Sequence, residues 1–260
     1  MRFVRFSEGG KIAYGIAEGE SVEEISSTPF LPYERTGISH ALDEVRLLAP
    51  TLASKVVAIA WNYKDHAVET GAEAPEVPVF FFKPSTAVTG PGGTIVWPPG
   101  CERLDCEGEL GVVIGAAARA VAEERWREVV AGYTCGIDAT ARDLQKVDSQ
   151  WGRAKGFDTS APLGPWIESE LDPSDLRLIT RVNREVRQDA RTSELIFGIP
   201  RLISFISSYL TLLPGDVILT GTPSGIGTLA PGDRVEVEIE GIGVLEASVR
   251  TRSPSRDRAG

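Results

Sequence analysis

The sequence contains few cysteines and no long apolar run, and each shortage excludes a class of protein. Its three cysteines, Cys101, Cys106 and Cys135, are too few and too irregularly spaced for a disulfide framework or a four-cysteine zinc site. The segment from Met1 to Lys11 lacks the apolar stretch of a signal peptide, and no later run is long enough to span a bilayer. These absences predict a cytoplasmic protein in a reducing compartment.

Basic residues are also in short supply, with 27 Lys and Arg against 37 Asp and Glu, a formal net charge of -10. Proteins that bind nucleic acid or anionic membranes without sequence preference need a basic surface, so we expect neither partner. A small acid can still bind where local cations or a metal ion reverse the field inside a pocket. With 260 residues and a 42% hydrophobic share, the chain can bury a sizeable core.

The chain divides into a small β-containing N-terminal module at residues 1–50, a main domain at residues 51–252 and a charged, polar tail at 253–260 that we expect to be frayed. Strand patterns occur at Phe3–Phe6, Lys11–Ala17, Val45–Leu48, Val56–Ala60, Val79–Phe82, Leu110–Ile114, Asp216–Thr220 and Val235–Ile239. Helical periodicity is limited to Ala120–Val130, Thr140–Val147 and Pro200–Leu212. Because helices are too few to alternate regularly with strands, the pattern predicts an α+β fold that is predominantly β.

Two glutamates, Glu107 and Glu109, stand two residues apart at the start of a strongly apolar strand, which directs both side chains to one face. Neighbouring carboxylates repel unless a cation lies between them, and oxygen ligands suit magnesium, manganese or calcium. Asp138, at the end of another apolar run, offers a third carboxylate. The same pattern is compatible with a solvated strand edge and with Asp138 as the N-cap of a helix that begins at Ala139.

The chain has two histidines, of which His66 has a partner on the same helical turn. Glu69 follows three residues later and can hydrogen-bond the imidazole, which fixes its tautomer and raises the basicity of the other nitrogen. An incidental pair on a surface helix gives the same spacing, and a metal site would need further ligands. His40 lies in a loop-like region and is expected to be exposed and without a role.

Cationic residues in apolar or glycine-containing surroundings could anchor a carboxylate or stabilise an enolate, or they could be surface charges packed along their stems. These residues are Lys83, Arg142 and Lys155. The stretch from Thr220 to Gly227 lacks the lysine of a P-loop and the glycine spacing of a dinucleotide fingerprint. It can still form an anion-accepting turn that presents the Thr222 hydroxyl.

Six motifs in this order resemble the fumarylacetoacetate hydrolase family, from about Lys55 to Gly241. They are Asn62-Tyr63-x-x-His66-Ala67-x-Glu69, Phe82-Lys83-Pro84, Glu107-Gly108-Glu109-Leu110, Gly132-Tyr133-Thr134 with Asp138 and Ala141-Arg142-Asp143-x-Gln145, Arg153-Ala154-Lys155-Gly156-Phe157-Asp158, and Thr220-Gly221-Thr222-Pro223-x-Gly225.

The resemblance implies a mixed β-roll catalytic domain, a homodimer, and magnesium or manganese held by the residues that match Glu107, Glu109 and Asp138; calcium could take the site in crystals. It implies that His66 and Glu69 form a water-activating dyad. It places Arg142, Gln145, Lys155 and Thr222 around the substrate's oxygens, with Tyr63 and Lys83 as further substrate-binding residues.

Three positions depart from the family pattern. Ile137 stands where asparagine often precedes the metal-binding aspartate, Asn183-Arg184 where Asn-Gly often opens a turn, and Trp61 is bulkier than expected. Loss of a polar group beside Asp138 could loosen the metal or reshape the pocket.

The leading function implied by the resemblance is hydrolysis of a carbon-carbon bond in an acylpyruvate- or fumarylpyruvate-type β-diketo acid, with the enolate stabilised by the metal. Decarboxylation of an oxaloacetate-type β-keto acid and isomerisation of a 2-hydroxy-dienoate use nearly the same groups. A non-catalytic binder of small acids and a recruited biosynthetic enzyme are alternatives of another class.

Overall fold

The computed structural model of the protein describes residues 1–252, so the predicted frayed tail at 253–260 lies outside the described residues. The strands are β1 (Arg2–Glu8), β2 (Lys11–Glu18), β3 (Ser21–Ile25), β4 (Arg35–Ala41), β5 (Arg46–Leu47), β6 (Lys55–Ala60), β7 (Val79–Pro84), β8 (Val88–Thr89), β9 (Gly93–Val96), β10 (Leu104–Ile114), β11 (Val130–Ala141), β12 (Ala161–Glu168), β13 (Arg177–Val182), β14 (Glu185–Arg191), β15 (Val217–Leu219), β16 (Gly227–Thr228), β17 (Arg234–Ile239) and β18 (Gly243–Arg250).

The helices are short. The α-helices are α1 (Lys64–Glu69), α2 (Arg142–Val147), α3 (Gly152–Lys155) and α4 (Ile199–Tyr209), and 3₁₀ turns occupy Ser85–Ala87, Glu123–Val129, Pro173–Asp175 and Thr192–Glu194. Within residues 1–252 no helix is long and apolar enough to cross a membrane. The predicted α+β fold that is predominantly β is confirmed.

Thirteen strands form one large mixed sheet. Its main path runs β4-β3-β2-β1-β12-β11-β10-β15-β6-β7, with β5 beside β1, β8 beside β12 and β16 beside β10. The N-terminal strands join this sheet where β1 pairs antiparallel with β12. The N-terminal residues therefore extend the sheet of the main domain, and the boundary near residue 50 remains a prediction.

A second sheet, in the order β14-β13-β17-β18-β9, packs across the centre of the large one. Alternate residues of β10, among them Cys106, Leu110 and Val112, share one apolar core with residues such as Leu178 and Val237 of the second sheet. The intervening residues of β10 face the opposite side, where the short helices lie. All of β10 is buried, so the carboxylates on its second face have little contact with solvent.

Helix α4 covers another part of the same core. Its buried residues Ile199, Leu202, Ile203 and Ile206 recur at intervals of three and four, which forms one apolar stripe. A proline in the first turn suits the start of a helix, because the amide hydrogen it lacks would have no intrahelical partner. The predicted Pro200–Leu212 helix thus exists with slightly shifted ends.

Other local predictions need correction. The helix expected at Ala120–Val130 is a 3₁₀ segment, Glu123–Val129, and the first two residues of the expected Thr140–Val147 helix belong to β11. The loop expected around His40 is wrong, because this residue lies in β4 with its Nε2 3.0 Å from Glu24 Oε1. The N-cap alternative for Asp138 is also wrong, because the residue lies inside β11.

Candidate active site

A triad of buried carboxylates lies where β10 pairs with β11. Glu107 is directly opposite Asp138 in the antiparallel register, and Glu109 follows two residues later on the same face. Their carboxylate oxygens lie within 4.8 Å of one another, and the three residues are at most 3% exposed. Gly108 points the other way, where an added Cβ would overlap Thr180 Oγ1 of the second sheet. The close packing of two sheets therefore requires glycine between the two glutamates.

Two cations from the helices that follow β11 contact this triad directly, and a third, Lys83 of β7, pairs with Asp138 from behind. Lys155 Nζ lies 2.7 Å from Glu107 Oε2 and 2.7 Å from Asp138 Oδ2. Arg142 pairs with Glu107 and, through Nε at 2.9 Å, with Asp105 Oδ2. Both cationic side chains come from the short helices α2 and α3 that follow β11. The order strand, helix, helix brings the carboxylates and their counter-charges together.

The carboxylates of Glu107 and Glu109 differ in their electrostatic environment. Burial alone would raise the pKa of Glu107, but Lys155 and Arg142 outweigh it and hold that pKa below its ordinary value. Burial and then the charges of Asp138 and Glu107 raise the pKa of Glu109 well above its ordinary value. Its hydrogen-bond donor within residues 1–252 is the Gly221 amide, at 2.6 Å from Oε2. Glu109 thus carries the least compensated charge of the triad.

A divalent cation fits this arrangement. Asp138 Oδ1, although 2.6 Å from the Lys83 ammonium, makes no aligned hydrogen bond in the described part of the chain, so it keeps lone pairs for a ligand. Three close carboxylates and no sulfur or imidazole ligand favour a hard cation such as magnesium, manganese or calcium. The triad is therefore a candidate divalent-metal site.

His66 and Glu69 form the pair expected from their spacing. They lie on helix α1, with His66 Nδ1 3.2 Å from Glu69 Oε2, and His66 is 5% exposed. Glu69 Oε1 also accepts a hydrogen bond of 2.9 Å from the Gly225 amide. Glu69 therefore orients the imidazole and holds the glycine-rich loop beside it.

The glycine-rich loop after β15 is used differently from the expected anion-accepting turn. Two of its amides, those of Gly221 and Gly225, already donate to the carboxylates of Glu109 and Glu69. The Thr222 hydroxyl donates to Gly108 O at 2.9 Å. The loop therefore braces the carboxylates of the site, with Thr222 beside the cavity.

One cavity of about 310 Å³ joins these groups. The predicted site residues that line it are His66, Glu69, Glu107, Glu109, Arg142, Gln145, Lys155 and Thr222. The aromatic residues Trp61, Phe81 and Trp151 also line it. Arg103 and Lys146 are further cations of the lining. This lining contains no residue from the N-terminal module at 1–50.

Two predicted substrate-binding residues are absent from that lining. Lys83 is fully buried behind Asp138, with its Nζ 3.0 Å from Ser160 O. Tyr63 is 2% exposed and borders a separate cavity, which Leu195 also lines. Burial raises the pKa of its hydroxyl. Substrate contact by these two residues remains a prediction, and their positions favour support of the site instead.

Sequence reasoning missed Gln188, a buried residue of β14 in the second sheet. Its Oε1 accepts from the Gly108 amide at 2.9 Å, and its Nε2 donates to Thr222 Oγ1 at 2.7 Å and Pro223 O at 2.8 Å. One side chain thus joins the strand that carries both glutamates to the glycine-rich loop. The flanking residues Arg187 and Asp189 are exposed, so the local sequence gives no sign of burial.

The departures from the family pattern have local explanations. Ile137 points into the core between the sheets, on the face of β11 opposite Asp138, so it does not replace a polar group beside that carboxylate. Asn183 and Arg184 both have positive φ, 53° and 71°, and form an exposed turn between β13 and β14. Neither position borders the cavity.

Comparisons with known proteins match both the N-terminal and the main part of the chain. Residues 55–250 match the family model described as fumarylacetoacetate (FAA) hydrolase C-terminal, and residues 1–50 match one described as Rv2993c-like, N-terminal. Protein Rv2993c of Mycobacterium tuberculosis is 46% identical over 255 residues, 94% of this chain and 96% of that protein. Oxaloacetate tautomerase YisK of Bacillus subtilis is 38% identical over 260 residues, 92% of this chain and 86% of that enzyme.

Solved structures share the whole fold. The 2-hydroxyhepta-2,4-diene-1,7-dioate isomerase of Mycobacterium marinum superposes with a TM-score of 0.91 at 44% identity, covering 98% of this chain and 100% of that one. Maleylpyruvate hydrolase from Sphingobium, in complex with manganese and pyruvate, gives 0.81 at 30% identity and covers 97% and 100%. The predicted fold, a mostly β catalytic domain with a small N-terminal β module, is confirmed.

Proposed function

The chain belongs to the fumarylacetoacetate hydrolase family, and from this premise we propose that it isomerises a small 2-oxo or 2-hydroxy-dienoic acid by moving a proton through the enol form. The observation that carries the proposal is the meeting of three elements on one cavity. These are the His66–Glu69 pair, the carboxylate triad, which reaches the cavity through Glu107 and Glu109, and the cations Arg142 and Lys155.

Glu107, Glu109 and Asp138 would hold the divalent cation, for which magnesium and manganese are the proposed choices. When bound, such an ion supplies positive charge that polarises the 2-oxo group and favours its enolate. Calcium has the same preference for oxygen ligands and could replace either ion.

The protein's own residues would bind the acid and move the proton. Arg142, whose Nη1 donates to Gln145 Oε1 at 2.6 Å, presents a fixed guanidinium for the substrate carboxylate. Lys155 adds a second buried positive charge where negative charge develops. With Nδ1 held by Glu69, Nε2 of His66 is the atom that would take the proton from C3 and return it to oxygen or to another carbon.

Isomerisation is preferred to hydrolysis because of the relatives. The named relative from Bacillus subtilis is a tautomerase and the Mycobacterium marinum structure is an isomerase, each more similar to this chain than the maleylpyruvate hydrolase is. Hydrolysis of an acylpyruvate remains the second candidate, since a histidine held by a carboxylate can equally activate water. Decarboxylation of oxaloacetate would use the cations without the histidine.

The test uses oxaloacetate, acetylpyruvate and fumarylpyruvate with magnesium or manganese, and again after EDTA. Isomerisation predicts a metal-dependent loss of the ultraviolet absorbance of enol oxaloacetate without pyruvate formation. His66→Asn is expected to lower this rate at least ~100-fold. His40→Asn is the matched control, since His40 lies in β4 outside the cavity. If acetylpyruvate and fumarylpyruvate are turned over but oxaloacetate is not, the proposed isomerisation is wrong and hydrolysis takes its place.

A further inference from the structure

The cavity has one wall that the proposed proton transfer does not use. Trp61, Phe81 and Trp151 line it, and all three are half-buried. Trp151 meets Trp61 edge to face at 5.4 Å between ring centroids, and Phe81 at 5.5 Å. The rings therefore form a continuous apolar surface that adjoins the charged groups.

Trp61 adopts a backbone conformation that a bulky residue rarely takes. Its φ is 54°, in the left-handed region that favours glycine. Strain of this kind persists only where the surroundings enforce it, and it tends to occur at ligand sites. The residue that follows provides that enforcement.

Asn62 is fully buried and fixes the chain on both sides. Its Nδ2 donates to Thr220 O at 2.7 Å and Phe197 O at 3.1 Å, and its Oδ1 accepts from the Phe197 amide at 2.8 Å. Its carbonyl accepts from the Ile196 amide at 2.8 Å. Trp61 is thus held in a preformed position beside the cavity instead of folding away into the core.

The position of the wall relative to the charges defines what it could bind. Lys155 Nζ lies 5.0 Å from the centroid of Phe81, so the aromatic surface begins next to the triad. An acid held by Arg142 and Lys155 would extend its carbon chain along the rings. Flat, unsaturated chains stack on aromatic rings better than saturated chains, which are puckered and flexible.

We propose that Trp61, supported by Phe81 and Trp151, is the specificity-determining residue that selects acids whose chain is planar because it is unsaturated and conjugated with the 2-oxo acid group. This inference rests on the proposed function, because it takes the polar end of the ligand to be a 2-oxo acid bound at the triad.

The experiment measures dissociation constants by calorimetry with manganese present. The probes are 2-oxo-4-phenylbut-3-enoate, its saturated counterpart 2-oxo-4-phenylbutanoate, and pyruvate, which has no chain to reach the wall. The wild-type protein is expected to bind the unsaturated acid at least ~10-fold more tightly than the saturated one. Quenching of indole fluorescence by the unsaturated acid provides a second readout of contact with the wall.

Three variants assign the preference to Trp61. Trp61→Leu keeps an apolar side chain with the same backbone restriction, and is expected to reduce the preference to below ~3-fold while the pyruvate dissociation constant changes less than ~2-fold. Trp61→Phe is expected to retain most of the preference. Trp166→Leu is the control, since Trp166 is half-buried under Arg2 and does not border the cavity.

The outcomes separate this inference from the proposed function. Two results would overturn the inference and leave the proposed function standing, provided that pyruvate binds. One is that the wild-type protein binds the unsaturated and saturated acids equally well, and the other is that Trp61→Leu keeps the wild-type preference for the unsaturated acid. Failure of pyruvate and of both longer acids to bind overturns both. If Trp61→Leu does not fold, the dissociation constants of the unsaturated and saturated acids for the wild-type protein still test whether the cavity prefers a planar chain.

Discussion

The ammonium group of Lys83 lies 2.6 Å from Oδ1 of Asp138, and neither residue is exposed to solvent. On its other side, Asp138 Oδ2 lies 2.7 Å from Lys155 Nζ. Burial lowers the pKa of Lys83, while the charge of Asp138 opposes that shift. Asp138 is therefore held between two lysines, one behind the triad and one beside the cavity.

Lys83→Met is expected to destabilise the metal-free protein by roughly 3 kcal/mol, because it removes one partner of a buried ion pair. A divalent cation at the triad would offset part of that loss, since it supplies positive charge to the same carboxylate. Thermal unfolding with EDTA and with manganese measures both effects.

Lys55→Met provides the matched control for Lys83. Lys55 pairs with the buried Asp216 outside the triad, so its loss should also destabilise the protein. Manganese should raise the stability of this variant by no more than it raises that of the wild-type protein. Equal restoration of both variants by manganese would show that the metal does not act through Asp138.

Glu107→Gln and Glu109→Gln are expected to shift metal-free stability in opposite directions. The charged form of Glu107 is favoured in the folded protein, so the neutral amide should lower the melting temperature. The charged form of Glu109 is disfavoured by burial and by its neighbours, so the amide should raise it. Both variants should bind manganese at least ~10-fold more weakly by calorimetry. If one of the two variants binds manganese as tightly as the wild-type protein, the glutamate replaced in that variant is not a metal ligand.

Gln188→Leu is expected to weaken metal binding although Gln188 contacts no member of the triad through its side chain. It leaves the Gly108 amide and the Pro223 carbonyl without their partner, at a cost of roughly 1–3 kcal/mol for each unsatisfied buried group. Because Gly108 lies between Glu107 and Glu109, loss of its hydrogen bond to Gln188 should make the relative position of the two carboxylates less fixed. Calorimetry with manganese and thermal unfolding measure the two effects, with the exposed Gln150→Leu as control. Destabilisation without any change in manganese affinity would limit Gln188 to a structural role.

Glu24→Gln is expected to lower the melting temperature at pH 7 by about 1–3 °C and to have less effect in acid. Hydrogen bonds from Lys11 and then His40 lower the pKa of Glu24. The stabilisation from a lowered carboxyl pKa is complete above the unfolded-state value and is lost as the pH falls through the folded-state value. The melting temperatures of the wild-type protein and the variant should therefore converge as the pH falls below the ordinary glutamate pKa of about 4.3. A constant difference from pH 3 to pH 7 would argue against this origin.

The carboxylate site could be predicted from the sequence because its signals are local. Two glutamates two residues apart on an apolar strand must share a face, and three residues from His66 to Glu69 span one helical turn. The support of the site could not be predicted in this way. Gln188 and Lys83 act through partners 80 and 56 residues distant along the chain, at Gly108 and Ala139.

The fold shows the same division between local and distant effects. The sequence predicts apolar strands such as β6 and β10. It does not predict β13 and β14, because their exposed faces carry arginine and acidic residues that obscure the alternation. The helix expected at Ala120–Val130 is a 3₁₀ segment in which Trp126 and Val129 are the buried residues. The segment packs against α4, an element distant along the chain, and the local periodicity does not reveal that contact.

The most direct test of the account is the exchange of C3 hydrogen for deuterium in a 2-oxo acid dissolved in D₂O, followed by proton NMR. With magnesium or manganese, the wild-type protein should accelerate exchange at least ~100-fold. EDTA and His66→Asn should each abolish the acceleration, while His40→Asn should not. Exchange that persists undiminished after EDTA or in His66→Asn would contradict the assignment of proton transfer to this cavity.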